Sequence, residues 1–416
     1  MSAHERVMRP PASVGVIGGG QLGRMFVQAA QRMGYRAGTL ANSADAPAAQ
    51  VADWCVVGTS DHFPTLQRFA DQAEAVSFEF ENVSAAALRW LSRTWRVRPG
   101  WRALWISQNR LREKTFLAQH GFPLARWKAV RTHDDLEAAV AALGVPLILK
   151  TAASGYDGKG QIRVDHRADA EPAWDELGRV ECVAEGVVSF AGEVSVVVAR
   201  GHDGKAAAYP VCLNHHERHI LDSTLAPAPI GPIASLDART LALGVAQALG
   251  FVGVLAVEFF LEPGGTLLIN EVAPRPHNSG HVTIEAAYTS QFEQQVRALC
   301  SLPLGRSDFV CPGAMVNLLG DHWENGEPPW EAALASDPDV KLHLYGKRGA
   351  APGRKMGHLT VLDPDPENAL ARALAARSVL AKPGAQSCSH SQAAKNHQET
   401  ATTSQHREVS RVSPSS

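Results

Sequence analysis

The chain has little of what marks an exported, membrane-embedded or nucleic-acid-binding protein. Its six cysteines form no CxxC pair, and its first ten residues contain no apolar run. We interpret the cysteines as reduced residues of a cytoplasmic protein and expect no secretory signal. No apolar run reaches the length that spans a membrane, and the formal net charge is only −2. We therefore expect neither a membrane nor a nucleic acid as a partner.

The composition is that of a soluble globular protein with more than one domain. Hydrophobic residues make up 45% of the 416 residues and charged residues 20%. A chain of this length predicts two or three domains. From residue 382 onward the sequence is rich in Ser, Gln, Thr and His and lacks apolar periodicity, which predicts a disordered tail over 382–416.

The strongest local pattern predicts a β-hairpin. Two apolar runs, residues 254–261 and 267–269, flank the turn sequence EPGGT. Counting outwards from a turn centred on the two glycines pairs Leu261 with Leu268. The same count places Glu258 directly opposite Glu271.

Two carboxylates that face each other on apolar strands repel, and burial makes the conflict worse. A divalent cation between Glu258 and Glu271 removes the conflict, and carboxylates together with substrate phosphates suit Mg²⁺. A solvent-facing acidic pair on an edge strand is the alternative. Directly downstream, Arg275, His277 and Asn278 crowd into a polar segment that predicts a site for a small anion or a reacting group.

The N-terminal segment predicts a doubly wound α/β domain. A short strand at 13–17, the glycine turn GGGQLG and a helix at 24–33 follow one another. A dinucleotide site would also need an acidic residue at the end of the second strand, where this chain has Ala41, Asn42 and Ser43. We therefore favour a backbone amide nest for another phosphate or substrate group. Glu79 or Glu81, at the end of a later strand, either reaches a substrate or caps the next helix.

The middle of the chain predicts a nucleotide site. Lys150 ends the buried strand PLILK, and a small, glycine-rich loop follows at 152–161. Such a loop closes over phosphates or forms a flexible surface turn, and it is not a P-loop. Taken together, Lys150, this loop and the acidic hairpin favour a nucleotide site over a surface turn. Glu185 and Glu193 stand beside β-runs, where they suit an adenine amino group and ribose hydroxyls.

Three further predictions concern less specific segments. The histidine-rich run at 214–219 has no zinc spacing, so we favour a single histidine near the nucleotide. A hairpin is expected from strands at 192–200 and 205–213, and one helix is expected over 284–299. The basic Gly/Pro turn at 347–355 suits a phosphate clamp or a solvated turn.

With these residues in place, the chain resembles the ATP-grasp superfamily and, within it, the 5-(carboxyamino)imidazole ribonucleotide synthases. The resemblance covers about residues 13–380. It is carried by the motifs GGGQLGRM (18–25), FEFENV (78–83), SGYDGKGQ (154–161), AGEVSVV (191–197), NEVAPRPHNSGH (270–281) and GRKMGHL (353–359).

The resemblance implies an α/β and α+β architecture, namely an ATP-grasp fold with an N-terminal Rossmann-like (pre-ATP-grasp) domain and a small β-rich C-terminal domain. The implied boundaries are 1–12 for a disordered N-terminus, 13–103, 104–305 and 306–381 for the three domains, and 382–416 for the disordered tail.

The resemblance also implies a reaction. ATP, bicarbonate and aminoimidazole ribonucleotide would give the N-carboxylated ribonucleotide, ADP and phosphate, through carboxyphosphate, with Mg²⁺ as the metal and a homodimer as the assembly. The alternatives are another ATP-grasp ligase, such as the formate-using transformylase of purine biosynthesis, and a non-catalytic nucleotide-binding relative. A nicotinamide-dependent oxidoreductase rests on the glycine turn alone.

The residue roles that the resemblance implies fall into four groups. The catalytic group is Arg275, His277, Asn278 and Lys347. The ATP-binding group is Arg110, Lys150, Gly155, Tyr156, Asp157, Gly158, Lys159, Gly160, Gln161, Glu185, Val188, Glu193, His216, Asn270 and Glu271. The ribonucleotide-binding group is Gly20, Gln21, Leu22, Glu79, Tyr156, Asp157, Lys159, Lys347, Arg354 and Lys355. The metal ligands are Glu258 and Glu271. One departure from the family pattern is Ala351, where the family carries an arginine.

Overall fold

A computed structural model describes residues 6–153, 155 and 158–380. Its first unit alternates strands and helices, as the glycine turn predicts. The elements are β1 (Ser13–Ile17), α1 (Gln21–Arg32), β2 (Arg36–Ala41), β3 (Trp54–Val57), α2 (Phe63–Ala70), β4 (Ala75–Phe78), α3 (Ala85–Leu91), β5 (Arg96–Val97) and α4 (Trp101–Ser107). The five strands form a parallel sheet in the order β3-β2-β1-β4-β5. Strands β1, β2 and β4 are almost wholly buried, because helices or neighbouring elements cover both faces of such a sheet.

A small antiparallel sheet follows. Helix α5 (Arg110–Gln119) leads into β6 (Trp127–Val130), α6 (His133–Leu143), β7 (Leu147–Thr151), β8 (Gln161–Val164), α7 (Ala170–Glu176) and β9 (Cys182–Gly186). The strand order is β6-β9-β7-β8. The segment that joins β7 to β8 is the predicted glycine-rich loop, so this loop connects two paired strands at an edge of the sheet.

The remaining strands build one large antiparallel sheet. The elements are β10 (Gly192–Arg200), β11 (Ala206–Ala208), β12 (Cys212–Glu217), β13 (Ile220–Ala226), α8 (Pro232–Ala248), β14 (Gly253–Leu261), β15 (Leu267–Ala273), α9 (Thr283–Ala286), α10 (Gln291–Leu299), β16 (Gly313–Leu319), α11 (Trp330–Ser336), β17 (Lys341–Leu344), β18 (Lys355–Leu362) and α12 (Pro366–Ser378). The order is β15-β14-β10-β12-β13-β16-β18-β17, with β11 beside β10. Strands β16–β18 therefore extend the same sheet.

Two predicted elements are wrong. The strand expected at 205–213 is two strands, since β11 ends at Ala208 and β12 begins at Cys212. The helix expected at 284–299 is interrupted between α9 and α10, where Ser290 caps α10 by accepting the Glu293 amide. The Ser290 cap favours a helix that begins at this point over one helix that continues through residues 284–299.

Helix α10 holds the N-terminal unit against the large sheet. Phe292 and Val296 share one buried apolar cluster with Phe26 and Val27 of α1. Burial of such side chains stabilises each by about 1.5–3 kcal/mol. This packing fixes the carboxyl ends of β1 and β4 relative to the loop that precedes α10.

The predicted disorder of residues 1–12 is wrong from residue 6 onward. Met8 is 8% exposed, its amide donates to the Cys300 carbonyl, and its carbonyl accepts the Tyr35 hydroxyl. Residues 1–5 and the predicted tail 382–416 lie outside the described residues. Among the described residues, no helix is long and apolar enough to cross a membrane.

Candidate active site

The acidic hairpin forms with a register that differs from the simple count. Leu261 pairs with Leu267, one residue earlier than predicted. A β-bulge then inserts Asn270 as an extra residue on β15, and this restores the pairing of Glu258 with Glu271. The two carboxylates therefore lie directly opposite each other, as the sequence predicts.

Each carboxylate of the hairpin has a cationic or histidine partner. Arg110 Nη1 lies 3.3 Å from Glu271 Oε2, and His277 Nε2 lies 2.9 Å from Glu258 Oε1. Burial alone would raise the pKa of Glu258, but His277 together with the nearby His216 and Arg275 outweighs burial and lowers the pKa to about 2. The Glu258 carboxylate therefore carries a charge at neutral pH while these contacts hold.

The hairpin fits a nucleotide-bound magnesium ion. It offers two opposed carboxylates, and the Asn270 side-chain oxygen is buried without a hydrogen-bond partner among the described residues. Mg²⁺ takes one or two carboxylates and fills its other positions with phosphates and water. A cluster of three or more His, Cys, Asp or Glu side chains, as structural zinc needs, does not occur among the residues that the structure describes.

A buried carboxyl that sequence reasoning missed lies beside this hairpin. Glu113 of α5 is 4% exposed and accepts the backbone amide of Val272. Burial, together with the nearby Glu271 carboxylate, raises the pKa of Glu113 to about 8. Its position one turn after Arg110 on α5 is the only signal that the sequence offers.

Lys150 belongs to a buried group of three charges. Its Nζ donates to Glu185 Oε2 at 2.9 Å, and Lys114 Nζ lies 2.8 Å from Glu185 Oε1. All three side chains are less than a tenth exposed. The two lysines outweigh burial and lower the pKa of Glu185 to about 2. Lys114 is a further residue that the sequence analysis left without a role.

The predicted adenine side of the site is a cavity. Val188 follows β9 and lines a cavity of about 360 Å³ between the small sheet and the hairpin, together with Leu268. Glu193 and His216, on neighbouring strands β10 and β12, form a short hydrogen bond. This pairing brings together the predicted ribose acid and the predicted nucleotide histidine.

The glycine-rich loop is described in part. Gly158 and Gly160 have φ of 79° and 71°, in the left-handed region that favours glycine. The Gly160 carbonyl accepts the Thr151 amide, and Gln161 pairs with Lys150 across β7 and β8. Gly155 and Lys159 belong to the same loop, whereas Tyr156 and Asp157 lie outside the described residues.

Arg275 connects the large sheet to the N-terminal unit. Its Nη2 lies 2.8 Å from Glu81 Oε1, in the segment that follows β4 and also contains Glu79. Beside it, neither amide atom of the buried Asn278 side chain has a hydrogen-bond partner among the described residues. A buried amide without a partner is costly, so a water molecule or a ligand is expected to complete its hydrogen bonds.

The glycine turn binds a side chain of the protein itself. Gly20 N–H donates a short hydrogen bond to Glu79, and Gly23 N–H donates to Glu79 Oε2 at 2.6 Å. Burial raises the pKa of Glu79, and the two amides and the nearby charges of Lys347 and Arg275 oppose this effect. Two amides of the predicted nest therefore bind Glu79 in this structure. Gln21 and Leu22 are the first residues of α1.

The basic turn lies on the same side of the molecule. Lys347 Nζ donates to the Lys355 carbonyl, and Arg354 donates to the carbonyls of Arg348 and Gly349. The Gly346 carbonyl accepts the Gln50 side-chain amide of the N-terminal unit. The turn therefore contacts the N-terminal unit, and its Lys347 lies near enough to Glu79 to oppose the rise in the pKa of that carboxyl.

Family comparisons first define the class of protein. The ATP-grasp domain model matches residues 115–292, and the ribonucleotide synthetase preATP-grasp domain model matches residues 12–108. The C-terminal domain model of phosphoribosylaminoimidazole carboxylase matches residues 313–372. The chain is thus an ATP-grasp protein with a preATP-grasp unit in front and this C-terminal domain behind.

Individual relatives narrow the class. The chain is 40% identical over 362 residues to the N5-carboxyaminoimidazole ribonucleotide synthase of Bacillus subtilis (strain 168), covering 86% of this chain and 93% of the relative. The synthetase structure from Thermus thermophilus superposes with a TM-score of 0.82 at 41% identity, covering 89% of this chain and 98% of that one. The Aspergillus clavatus synthase, in complex with ADP and 5-aminoimidazole ribonucleotide, gives 0.80 at 30% identity, covering 90% and 99%. The chain belongs to the N5-carboxyaminoimidazole ribonucleotide synthase family.

Proposed function

We propose that this chain uses ATP to carboxylate 5-aminoimidazole ribonucleotide with bicarbonate, giving N5-carboxyaminoimidazole ribonucleotide, ADP and phosphate in purine biosynthesis. The observation that carries the proposal is the continuous row of contacts from the acidic hairpin to the N-terminal unit. The row runs from Arg110 through Glu271 and Glu258 to His277. Arg275, two residues before His277 in the chain, then reaches Glu81 of the N-terminal unit.

This row suits a transfer that joins two substrates. At one end, the carboxylates and Arg110 face the side where the predicted nucleotide residues gather. At the other end, Arg275 lies beside Glu79, the glycine turn and Lys347. A small anion bound between the two ends is within reach of both, which is the arrangement that positioning catalysis needs.

In this proposal Glu258 and Glu271 would hold Mg²⁺ on the nucleotide phosphates. The ion would supply neutralisation of the negative charge that develops in phosphoryl transfer. Arg110 holds Glu271 in place and presents a cation to the same phosphates. His277 occupies one oxygen of Glu258 and leaves the other for the ion.

The nucleotide would bind along the groove that Lys150 borders. Lys150 supplies a positive charge to the phosphates, and its orientation is set by Glu185. Glu193 and His216 would receive the ribose, and the residues around Val188 the adenine. The glycine-rich loop, with residues 155–161, would cover the phosphates.

Bicarbonate would bind between Arg275, His277 and Asn278. Arg275 is a planar cation that suits a trigonal oxyanion, and the Asn278 amide has a donor and an acceptor without partners among the described residues. These groups would orient the bicarbonate oxygen that attacks the γ-phosphate and then retain the carboxyphosphate. Loss of phosphate delivers the carboxyl carbon to the ribonucleotide amine, whose proton leaves in the same step.

The ribonucleotide would bind where the glycine turn, Glu79 and the basic turn meet. Lys347, Arg354 and Lys355 provide positive charge for its 5′-phosphate, and the turn starting at Gly20 provides backbone donors. Arg354 would exchange its contacts with the carbonyls of its own turn for the phosphate.

ADP release tests this function directly. Purified protein receives Mg·ATP and bicarbonate, with and without 5-aminoimidazole ribonucleotide. We expect the ribonucleotide to stimulate ADP release strongly, and we expect Glu271→Ala to abolish the stimulation. Glu331→Ala, which removes an exposed acid of α11 away from these residues, is the control and should retain it.

Two outcomes would contradict the proposal. Absence of ribonucleotide stimulation in the unaltered protein would refute the carboxylation. Stimulation by formate with glycinamide ribonucleotide in place of these substrates would assign the chain to the formate-using chemistry.

A homodimer and a cytoplasmic location complete the proposal, and both are supported by family membership. The reaction consumes ATP and a phosphorylated intermediate, which are cytoplasmic metabolites. Light scattering after gel filtration measures the assembly: a mass of about twice 44.5 kDa is expected, and a monomer at micromolar concentration would contradict it.

A further inference from the structure

Four buried hydroxyl and amide side chains form a relay that ends on His277. Thr224 Oγ1 donates to Asn214 Oδ1 at 3.1 Å, and Asn214 Nδ2 donates to Ser195 Oγ at 2.9 Å. Ser195 Oγ lies 2.8 Å from Ser279 Oγ, which lies 2.9 Å from His277 Nδ1. Ser195, Ser279 and Thr224 are fully buried, and Asn214 is 6% exposed.

The sheet register places this relay in line with the acidic hairpin. Ser195 pairs directly with Glu258 across β10 and β14, and Asn214 pairs with Thr224 across β12 and β13. Directly opposed residues share a face of the sheet, so the polar row continues from the hairpin across β10, β12 and β13 on the face that the His277 loop covers. A buried polar row that crosses several strands of an apolar sheet is costly unless each member is satisfied.

The donors and acceptors give the relay one direction. Asn214 donates to Ser195, so the Ser195 hydroxyl is free to donate to Ser279, and the Ser279 hydroxyl is free to donate to His277. The Ser279 backbone N–H also points at His277 Nδ1, at 3.4 Å. His277 Nδ1 can therefore accept from Ser279 while Nε2 faces Glu258, so the relay favours the ring form that carries its proton on Nε2.

We propose that Ser279, Ser195, Asn214 and Thr224 are positioning residues for the carboxylation, because their directed hydrogen bonds fix the ring orientation of His277 against Glu258. The hydrogen bond on one ring nitrogen of a histidine sets which nitrogen carries the proton. Partners of this kind, outside the direct contacts of a metal site, commonly contribute about 10- to 100-fold to affinity or activity.

The inference rests on the proposed function of His277, and its first test is independent of activity. In protein labelled with ¹⁵N in histidine, without ATP or metal, the His277 nitrogens are identified by their loss in His277→Gln. We expect a protonated Nε2 and an unprotonated Nδ1. A proton on Nδ1 would overturn the relay even if the enzyme carboxylates the ribonucleotide, and the relay pattern would stand even if the ribonucleotide failed to stimulate ADP release.

Variants separate positioning from packing. Ser195→Ala breaks the relay, and Thr224→Val removes its far end while keeping the side-chain shape. Thr360→Val is the matched control, because Thr360 is fully buried on the same face and its hydroxyl has no hydrogen-bond partner among the described residues.

We expect both relay variants to lower kcat about tenfold or more and to leave KM for ATP unchanged. Their ¹⁵N spectra should show a mixture of His277 rings protonated on Nε2 and rings protonated on Nδ1. Thr360→Val should match the unaltered protein in all three measurements. Equal losses in Thr224→Val and Thr360→Val would reduce the effect to core packing, and unchanged kcat with an unchanged ¹⁵N pattern in both relay variants would also overturn the proposal.

Discussion

Among the residues that the structure describes, Glu185 is the only carboxylate that forms ion pairs with both Lys114 of α5 and Lys150 of β7. Glu185→Gln removes its charge and leaves two ammonium groups out of water. The pKa of this carboxyl falls from 4.5 to about 2, which corresponds to about 3 kcal/mol at about 1.4 kcal/mol per pH unit. Removal of one partner from a buried ion pair costs a similar amount, about 3–5 kcal/mol.

Hydrogen exchange of the backbone amides in β7 and β9 measures this loss of stability locally, because the exchange rate depends on the free energy of local opening. We expect Glu185→Gln to lower the opening free energy of these strands by about 3 kcal/mol at pH 7. Glu181→Gln is the control, since Glu181 lies nearby but pairs with Arg131 at the surface and should lose at most about 1 kcal/mol. Equal protection in the two variants would refute the reasoning.

The pH dependence carries a definite sign. A folded-state pKa below the unfolded value means that the Glu185 charge stabilises the fold above pH 4.5 and stops doing so as the pH falls towards 2. The difference between the unaltered protein and Glu185→Gln should therefore shrink over that range. A difference that grows on acidification would contradict the ion-pair account.

Further predictions concern the ribonucleotide side and the polar loop. Glu79→Gln removes the carboxylate that accepts two backbone amides, so KM for the ribonucleotide should rise about tenfold in steady-state assays, and an unchanged KM would count against its role. Gly280→Ala places a Cβ 2.4 Å from Gln291 Oε1 and should lower stability by about 1–3 kcal/mol in thermal unfolding, whereas Gly264→Ala, with nothing within 4 Å, should not. Ala351→Arg adds the cation that the family carries at this turn and should lower KM for the ribonucleotide. A higher KM would show that the turn binds the ribonucleotide phosphate better without this arginine.

Local patterns predicted the parts of the site that one stretch of chain builds. The pairing of Glu258 with Glu271 follows from turn position and strand alternation within one hairpin. The bulge at Asn270 does not follow from these local patterns. It compensates for a turn that is one residue shorter than the count assumed. The predicted pairing survives because these two departures cancel.

Long-range contacts account for what the sequence did not reveal. Lys114 sits one turn after Arg110 on α5, but its partner Glu185 comes from a strand of the small sheet. Glu81 meets Arg275 only because α10 packs against the N-terminal unit. Gln291 was predicted inside one long helix; the break before α10 lets its side chain bind both the amide and the carbonyl of His277.

Transfer of ¹⁸O from bicarbonate to phosphate tests the central claim most directly, namely that bicarbonate receives the γ-phosphate at this site. The protein is supplied with ¹⁸O-labelled bicarbonate, Mg·ATP and 5-aminoimidazole ribonucleotide, and the released phosphate is examined by mass spectrometry. Attack of a bicarbonate oxygen on the γ-phosphate predicts that each phosphate carries one oxygen from bicarbonate. Phosphate without label, released at the same rate, would show that water or another acceptor takes the phosphoryl group and would contradict the account.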